Sequence, residues 1–169
     1  MDFAIRPIKL EDAEAINEIR GMDGVRENMY GMFSERIARS EDSIKGLSEH
    51  DHLLVAEVEE KGIKRVAGMV GMKVYGSGRL RHSASVGIMV HADYQGKGIG
   101  TALFKKMIDL ADNWLMLVRL ELTAFVENER AVRLYQSMGF QIEGIKRYAV
   151  IRNGKYADEY LMARYNLRT

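Results

Sequence analysis

Apolar residues recur along the chain at two spacings. Spacing two marks strands at Phe3-Ala4-Ile5-Arg6 before Pro7, at Leu53 to Glu59, and at Arg65 to Tyr75, where Val66, Val70, Met72 and Val74 lie two or four apart. It marks them again at Arg81 to Val90 and at Val118 to Val126, where Leu120, Leu122 and Ala124 share a face. Helical spacing predicts a helix over Leu10 to Arg20, with Ala13, Ile16 and Ile19 inward, and a second over Ser34 to Leu47. A third runs from Ile99 to Trp114 on a stripe of Ile99, Ala102, Leu103, Met107, Leu110, Ala111 and Trp114, with Lys105, Lys106, Asp109 and Asp112 facing water. Asn128 caps a short helix that reaches Met138 and ends at Gly139. Gln141 to Val150 and Tyr156 to Tyr165 make a last hairpin around Arg152-Asn153-Gly154-Lys155, because Asn-Gly supplies the two positive φ angles of a tight hairpin turn. Val25 to Phe33 follows neither period.

The order is β α α β β β α β α β β. It predicts an α/β fold, with a mixed, mostly antiparallel central sheet of about seven strands flanked by about four helices. Its 169 residues suit a single domain over 1–169, with no composition break to divide it. A net charge of +1, from 25 basic and 24 acidic residues, supplies no field for nucleic acid. The absence of cysteine excludes a disulfide scaffold, a thiolate metal site and a cysteine nucleophile. No apolar run approaches the roughly 20 residues of a membrane span, and the first residues lack the apolar core of a secretion signal. A cytoplasmic location is the expectation.

The most informative stretch is Asp93-Tyr94-Gln95-Gly96-Lys97-Gly98-Ile99-Gly100-Thr101, set between the strand that ends at Val90 and the helix that starts at Ile99. A helix start presents amide hydrogens with no internal partner and a partial positive charge. Glycines let an anion approach them, so this turn is expected to hold a phosphate, most simply a pyrophosphate. The spacing is neither that of a Walker loop nor that of a dinucleotide-binding βαβ turn.

Gln95-x-x-Gly98-x-Gly100 resembles the coenzyme A loop of the GCN5-related N-acetyltransferase (GNAT) superfamily. Asn128-Glu129-Arg130-Ala131-Val132-Arg133-Leu134-Tyr135-Gln136-Ser137-Met138-Gly139-Phe140 resembles the same family's Asn-x-x-Ala-x-x-x-Tyr-x-x-x-Gly-Phe segment. The two motifs stand in the family's order and separation, and the likeness extends over essentially the whole chain. It implies acetyl-CoA as cosubstrate, with no metal, and acetyl transfer to the primary amine of a small molecule by direct attack in a ternary complex. The C-terminal half resembles bacterial L-amino-acid N-acetyltransferases and, less specifically, polyamine and ribosomal-protein acetyltransferases. Acetylation of a protein N-terminus or lysine, and a non-catalytic acyl-CoA-binding module, are the alternatives.

The resemblance also implies roles. Gln95, Gly96, Lys97, Gly98, Gly100 and Thr101 would hold the phosphates, chiefly through backbone amides, with the Lys97 side chain in solvent. The pantetheine arm would pair with the backbone of Ile88, Met89 and Val90, where an N–H of Met89 or Val90 faces the thioester oxygen. Tyr135 would protonate the leaving thiolate, against a reading as a core tyrosine on an apolar stripe, and Asn128 would either only cap its helix or also touch the coenzyme arm.

The attacking amine must be neutral. A lysine-like amine is neutral in about one molecule in a few thousand at pH 7, and an α-amine in roughly a tenth. Some relatives place a glutamate five residues before the capping asparagine to take the proton, but here that residue is Thr123. Glu121, two residues away on the same side of the strand, is the candidate base acting through water, against a reading as a salt-bridged strand glutamate. His82 and His91 read as surface histidines. By the same resemblance the acceptor pocket would lie between Gly21–Phe33 and the Tyr148–Tyr160 hairpin, with Glu27, Met29, Tyr30 and Phe33 as substrate-binding candidates and Glu27, Asp158 or Glu159 as anchors for an ammonium. The apolar C-terminal hairpin would pair with a second copy in a homodimer.

Overall fold

The protein's structure is a computed structural model that describes residues 2–167. Its strands are β1 (Phe3–Pro7), β2 (Asp51–Glu60), β3 (Ile63–Val74), β4 (Ser83–Val90), β5 (Arg119–Phe125), β6 (Gln141–Arg152) and β7 (Lys155–Tyr165). Its α-helices are α1 (Ala13–Gly21), α2 (Ile37–Lys45), α3 (Ile99–Asp109) and α4 (Glu129–Ser137). The strands form one sheet in the order β1-β2-β3-β4-β5-β7-β6. β4 and β5 are parallel, as strands joined through a helix usually are. The pairs β1–β2, β5–β7 and β6–β7 are antiparallel. This is the mixed sheet of seven strands and four helices that the hydrophobic pattern predicts.

The chain divides into two compact units, one of Met1–Met72 with Gly87–Met107 and one of Lys73–Val86 with Ile108–Thr169. In the first, Ile16 and Ile19 of α1 pack with Val25, Val55, Val66 and Met89. A left-handed pair, Lys61 at φ 52° and Gly62 at φ 79°, makes the tight turn between β2 and β3. At Gly68 an added Cβ would lie 2.9 Å from the Met89 carbonyl oxygen, so the close approach of β3 to β4 needs a glycine. Pro7 is the last residue of β1, an edge strand, where a proline is tolerated.

In the second unit, Leu120, Leu122 and Ala124 of β5 are buried with Met162 and Ala163 of β7 and with Phe140. Asn153 at φ 49° and Gly154 at φ 74° form the predicted hairpin turn. The β6–β7 register slips twice, between Ile142 and Gly144 and between Lys146 and Val150. Tyr148 sits in the second bulge at φ 52°.

The sequence pattern misreads the end of the third helix. Regular winding stops at Asp109, and Leu110–Trp114 forms a π turn in which the Leu115 amide bonds the Leu110 carbonyl five residues back. The wider turn rotates the residues beyond Leu110, so Trp114 is 76% exposed instead of closing the apolar stripe. Asp112, expected in water, accepts both ends of the Arg164 guanidinium at 2.8 and 2.7 Å. Phe104, outside the predicted stripe, is fully buried.

Candidate active site

The glycine turn has the backbone that an anion site requires. After β4 the chain makes a short 3-10 turn, Ala92–Tyr94, and reaches α3 through Gly96 at φ 77° and Gly98 at φ 85°. Both angles lie where a side chain is costly. Nothing lies within 4 Å of a Cβ placed on Gly98, so the approach to the turn is open. The Ala102 amide makes the first helical bond, to the Gly98 carbonyl at 3.0 Å. The amides of Ile99, Gly100 and Thr101 precede that bond and have no carbonyl of their own helix to meet.

Three side chains brace the loop. The Gln95 side-chain amide donates to the Val90 carbonyl at 3.1 Å. His91 Nδ1 accepts the Asp93 amide at 3.2 Å, which makes this histidine a turn cap. Tyr94 is buried, and Lys97, which is exposed, lies 5.2 Å from its ring centre. Burial, then its bond to Glu60, pushes the Tyr94 phenol above its usual value. No period or motif singles out Tyr94; its signal is an aromatic side chain directly before the glycine run.

Ile88, Met89 and Val90 form the last turnward residues of β4. The parallel pairing of β4 with β5 includes the pairs from Ser83↔Arg119 to Ser85↔Glu121. Met89 is buried.

Tyr135 and Asn128 share α4. The Asn128 side-chain oxygen accepts the Ala131 amide at 3.2 Å, the expected cap. Val132 and Tyr135 form the buried stripe of this helix, and the Tyr135 ring centre lies 6.1 Å from that of Phe140. Burial pushes the Tyr135 phenol up to about 12. It is therefore fully protonated at neutral pH, as a proton donor must be.

Glu121 is well held. Its carboxylate accepts the Tyr75 hydroxyl and the Arg119 Nε–H, the latter at 2.9 Å. Arg119 also grips Glu143 at 2.9 and 2.6 Å, and Tyr165 joins the same cluster. Burial, then the Glu121 carboxylate, raises the Tyr75 phenol. His82 is exposed, and its carbonyl accepts the amides of Val118 and Arg119.

The acceptor candidates of the Val25–Phe33 segment separate by role. Glu27 accepts the Gly24 amide at 2.8 Å and pairs with Arg26. Met29 packs against the first unit's core. Tyr30 and Phe33 are exposed, and Arg26 lies over the Phe33 ring. On the hairpin, Glu159 is buried, whereas Asp158 borders a cleft of about 540 Å³. Among the described residues no group of three or more His, Asp or Glu could hold a metal, and no helix is long and apolar enough to cross a membrane.

Residues 17–140 match the sequence profile of the acetyltransferase (GNAT) family. The chain is 35% identical to the L-amino acid N-acetyltransferase AaaT of Escherichia coli (strain K12), over 96% of this chain and 98% of that one. It is 25% identical to the spermidine N(1)-acetyltransferase of the same strain, over 94% and 83%. Among solved structures, the spermidine N-acetyltransferase from Vibrio cholerae in complex with CoA and spermine matches with a TM-score of 0.84 at 23% identity, over 96% of this chain and 95% of that one. That last likeness carries the fold, while the profile and the first relative carry the family. With an open glycine turn at a helix start and a protonated tyrosine on a capped helix, the chain belongs to the GNAT family and is an acetyl-CoA-dependent N-acetyltransferase.

Proposed function

We propose that the protein acetylates the α-amine of a small L-amino acid, by direct attack of the neutral amine on the thioester carbonyl within a ternary complex. The observation that carries the coenzyme half is the open turn with left-handed Gly96 and Gly98 ahead of α3. The acceptor half is supported by the likeness to an L-amino acid N-acetyltransferase. In this reading residues 1–169 act as one catalytic domain, since the family match takes in segments of both units.

The backbone amides of Gly96 to Thr101, with the Thr101 hydroxyl, take the pyrophosphate. Lys97, held at Tyr94, adds charge at the rim. Ile88, Met89 and Val90 pair with the pantetheine arm, and an N–H of Met89 or Val90 polarises the thioester oxygen. Asn128 holds α4 and meets the arm. The amine nitrogen forms a bond to the carbonyl carbon, the carbon–sulfur bond breaks, and the thiolate takes a proton from Tyr135. The phenol, near 12, is a weaker acid than an ordinary thiol near 8.5, so this transfer runs uphill and is completed when the phenolate regains a proton from water. The amine's own proton leaves through water to Glu121. Replacing Glu121 by Gln is then expected to lower kcat about 100-fold at pH 7, with a smaller deficit at pH 9, where more amine is already neutral. An equal deficit at both pH values would assign Glu121 to structure alone.

Glu27, Met29, Tyr30 and Phe33 contribute to the acceptor side. The homodimer and the cytoplasmic location belong to the same reading. β6 is an edge strand with Ile142, Ile145 and Ile151 exposed, which supports self-association. Incubation with acetyl-CoA and a panel of amino acids, polyamines and peptides, with thiol release as readout, tests the activity. Turnover confined to peptides or polyamines would replace the amino-acid reading, and tight coenzyme binding without turnover on any amine would leave an acyl-CoA-binding module.

A further inference from the structure

The hairpin bulge builds a cleft on the side where the resemblance puts the acceptor, and its Arg147 has no role in the reading above. Val126, Glu127, Arg147, Tyr148, Tyr156 and Asp158 border a space of about 540 Å³ within the second unit. Val126 and Glu127 come after the end of β5 and lead directly into Asn128, the cap of the helix that carries Tyr135. The cleft therefore begins one residue from the tyrosine's helix. Its walls are two exposed aromatic rings, Tyr148 and Tyr156, with centres 6.1 Å apart and planes at 83°. Rings this exposed have no core to fill.

The bulge is held in a costly shape. Tyr148 keeps a left-handed backbone at φ 52°, which a tyrosine adopts only when its surroundings impose it. Asp158 imposes it. One carboxylate oxygen accepts the Tyr148 amide at 2.8 Å, and the other accepts Arg147 Nη1 at 2.7 Å. Those two bonds, the backbone one first, keep the Asp158 carboxyl below its usual value, so it stays charged and is a poor base. One nitrogen of the Arg147 guanidinium is thus fixed. Among the described residues its Nε and Nη2 have no partner, and the side chain is 69% exposed. A guanidinium anchored at one corner offers its remaining edge to a carboxylate in a two-bond fork. Glu127 is engaged by Arg152 at 2.6 Å and so does not compete for Arg147.

We propose that Arg147 is the residue that selects α-amino acids, by binding the acceptor's α-carboxylate while Tyr148 and Tyr156 flank its side chain. This rests on the amino-acid reading above. It also separates acceptor classes: a polyamine lacks the carboxylate that the remaining edge of the Arg147 guanidinium would bind.

The test compares an L-amino acid with its α-carboxamide as acceptors for the wild type, Arg147→Gln and Arg147→Lys. Thermal melting shows whether each variant is folded. The expected result is that Arg147→Gln lowers kcat/KM for the acid about 30-fold more than for the amide, chiefly through KM, and that Arg147→Lys recovers part of that difference. Equal losses on acid and amide, no loss on either, or a difference seen only in kcat would overturn the assignment to Arg147 while amino-acid acetylation stands. A wild type that acetylates polyamines or peptides but neither the amino acid nor its amide would overturn the amino-acid reading, and this proposal with it.

Discussion

The side-chain amide of Gln95 donates to the backbone carbonyl of Val90, at 3.1 Å across five residues of chain. The bond ties the loop that precedes α3 to the end of β4, so the expected phosphate amides and the expected thioester-binding strand share one brace. Gln95→Ala removes it. Losing a hydrogen bond of about 1 kcal/mol corresponds to a rise of roughly five-fold in the KM for acetyl-CoA, with kcat nearly unchanged. Steady-state kinetics at saturating acceptor checks this. A loss confined to kcat would show that the brace serves chemistry and not coenzyme binding.

Tyr135 sets the second expectation. Replacing it by Phe keeps the ring that faces Phe140 and removes the proton. We expect kcat to fall by about 100-fold or more and coenzyme affinity, by titration calorimetry, to stay within a few-fold. The pH profile is set by the phenol's value near 12. An acid of that strength stays protonated across the working range, so no alkaline fall in kcat/KM is expected below about pH 10. On the acid side the rate should rise with pH along the acceptor amine's own titration. An alkaline fall centred near pH 8 that disappears in Tyr135→Phe would contradict this.

Stability at low pH should depend on Asp12. This buried carboxylate accepts both Arg6 terminal nitrogens at 2.9 Å and the Lys9 amide at 2.7 Å, while Arg6 Nε reaches Glu57 at 2.9 Å. Burial would raise the Asp12 carboxyl, but the Arg6 and Lys9 bonds outweigh it and hold it below 3.8. A group whose value falls on folding stabilises the fold above its unfolded value, and that contribution is lost as pH drops through the folded one. Asp12→Asn is expected to cost about 3 kcal/mol at pH 7 and to lower Tm by roughly 6–12 °C. The gap to wild type should narrow below pH 4. Thermal melts from pH 3 to pH 7 measure both, and a gap that does not change with pH would remove the ion-pair account.

Features set by a few adjacent residues were legible in the sequence. Asn153-Gly154 dictates its own turn, Asn128 its cap, and Gly96 and Gly98 their left-handed backbone, because the cause lies in the residue itself. The order of strands and helices along the chain came from periodicity, whereas their order in the sheet did not. The features that escaped depend on residues distant in the chain or on one extra residue in a turn. Trp114 fits an ideal helix stripe, and only the π turn that starts at Leu110 moves it outward. The Arg164–Asp112 pair joins residues 52 apart, and the Arg119 cluster reaches Glu143 and Tyr165, which no period announces. The shape around Arg147 and Tyr148 depends on a register slip in β6, and slips leave no mark on alternation until the partner strand is known.

The central claim is that the amides of residues 96–101 hold the coenzyme's pyrophosphate. Backbone amide chemical shifts, monitored as coenzyme A is added to the labelled protein, test it most directly. The account predicts saturable shifts at Lys97, Gly98, Gly100 and Thr101 that are the largest in the first unit, and their loss in Gly98→Glu, which puts bulk and negative charge where φ is 85° and the space is open. Saturation of coenzyme binding with these amides unmoved, or full binding by Gly98→Glu, would contradict it.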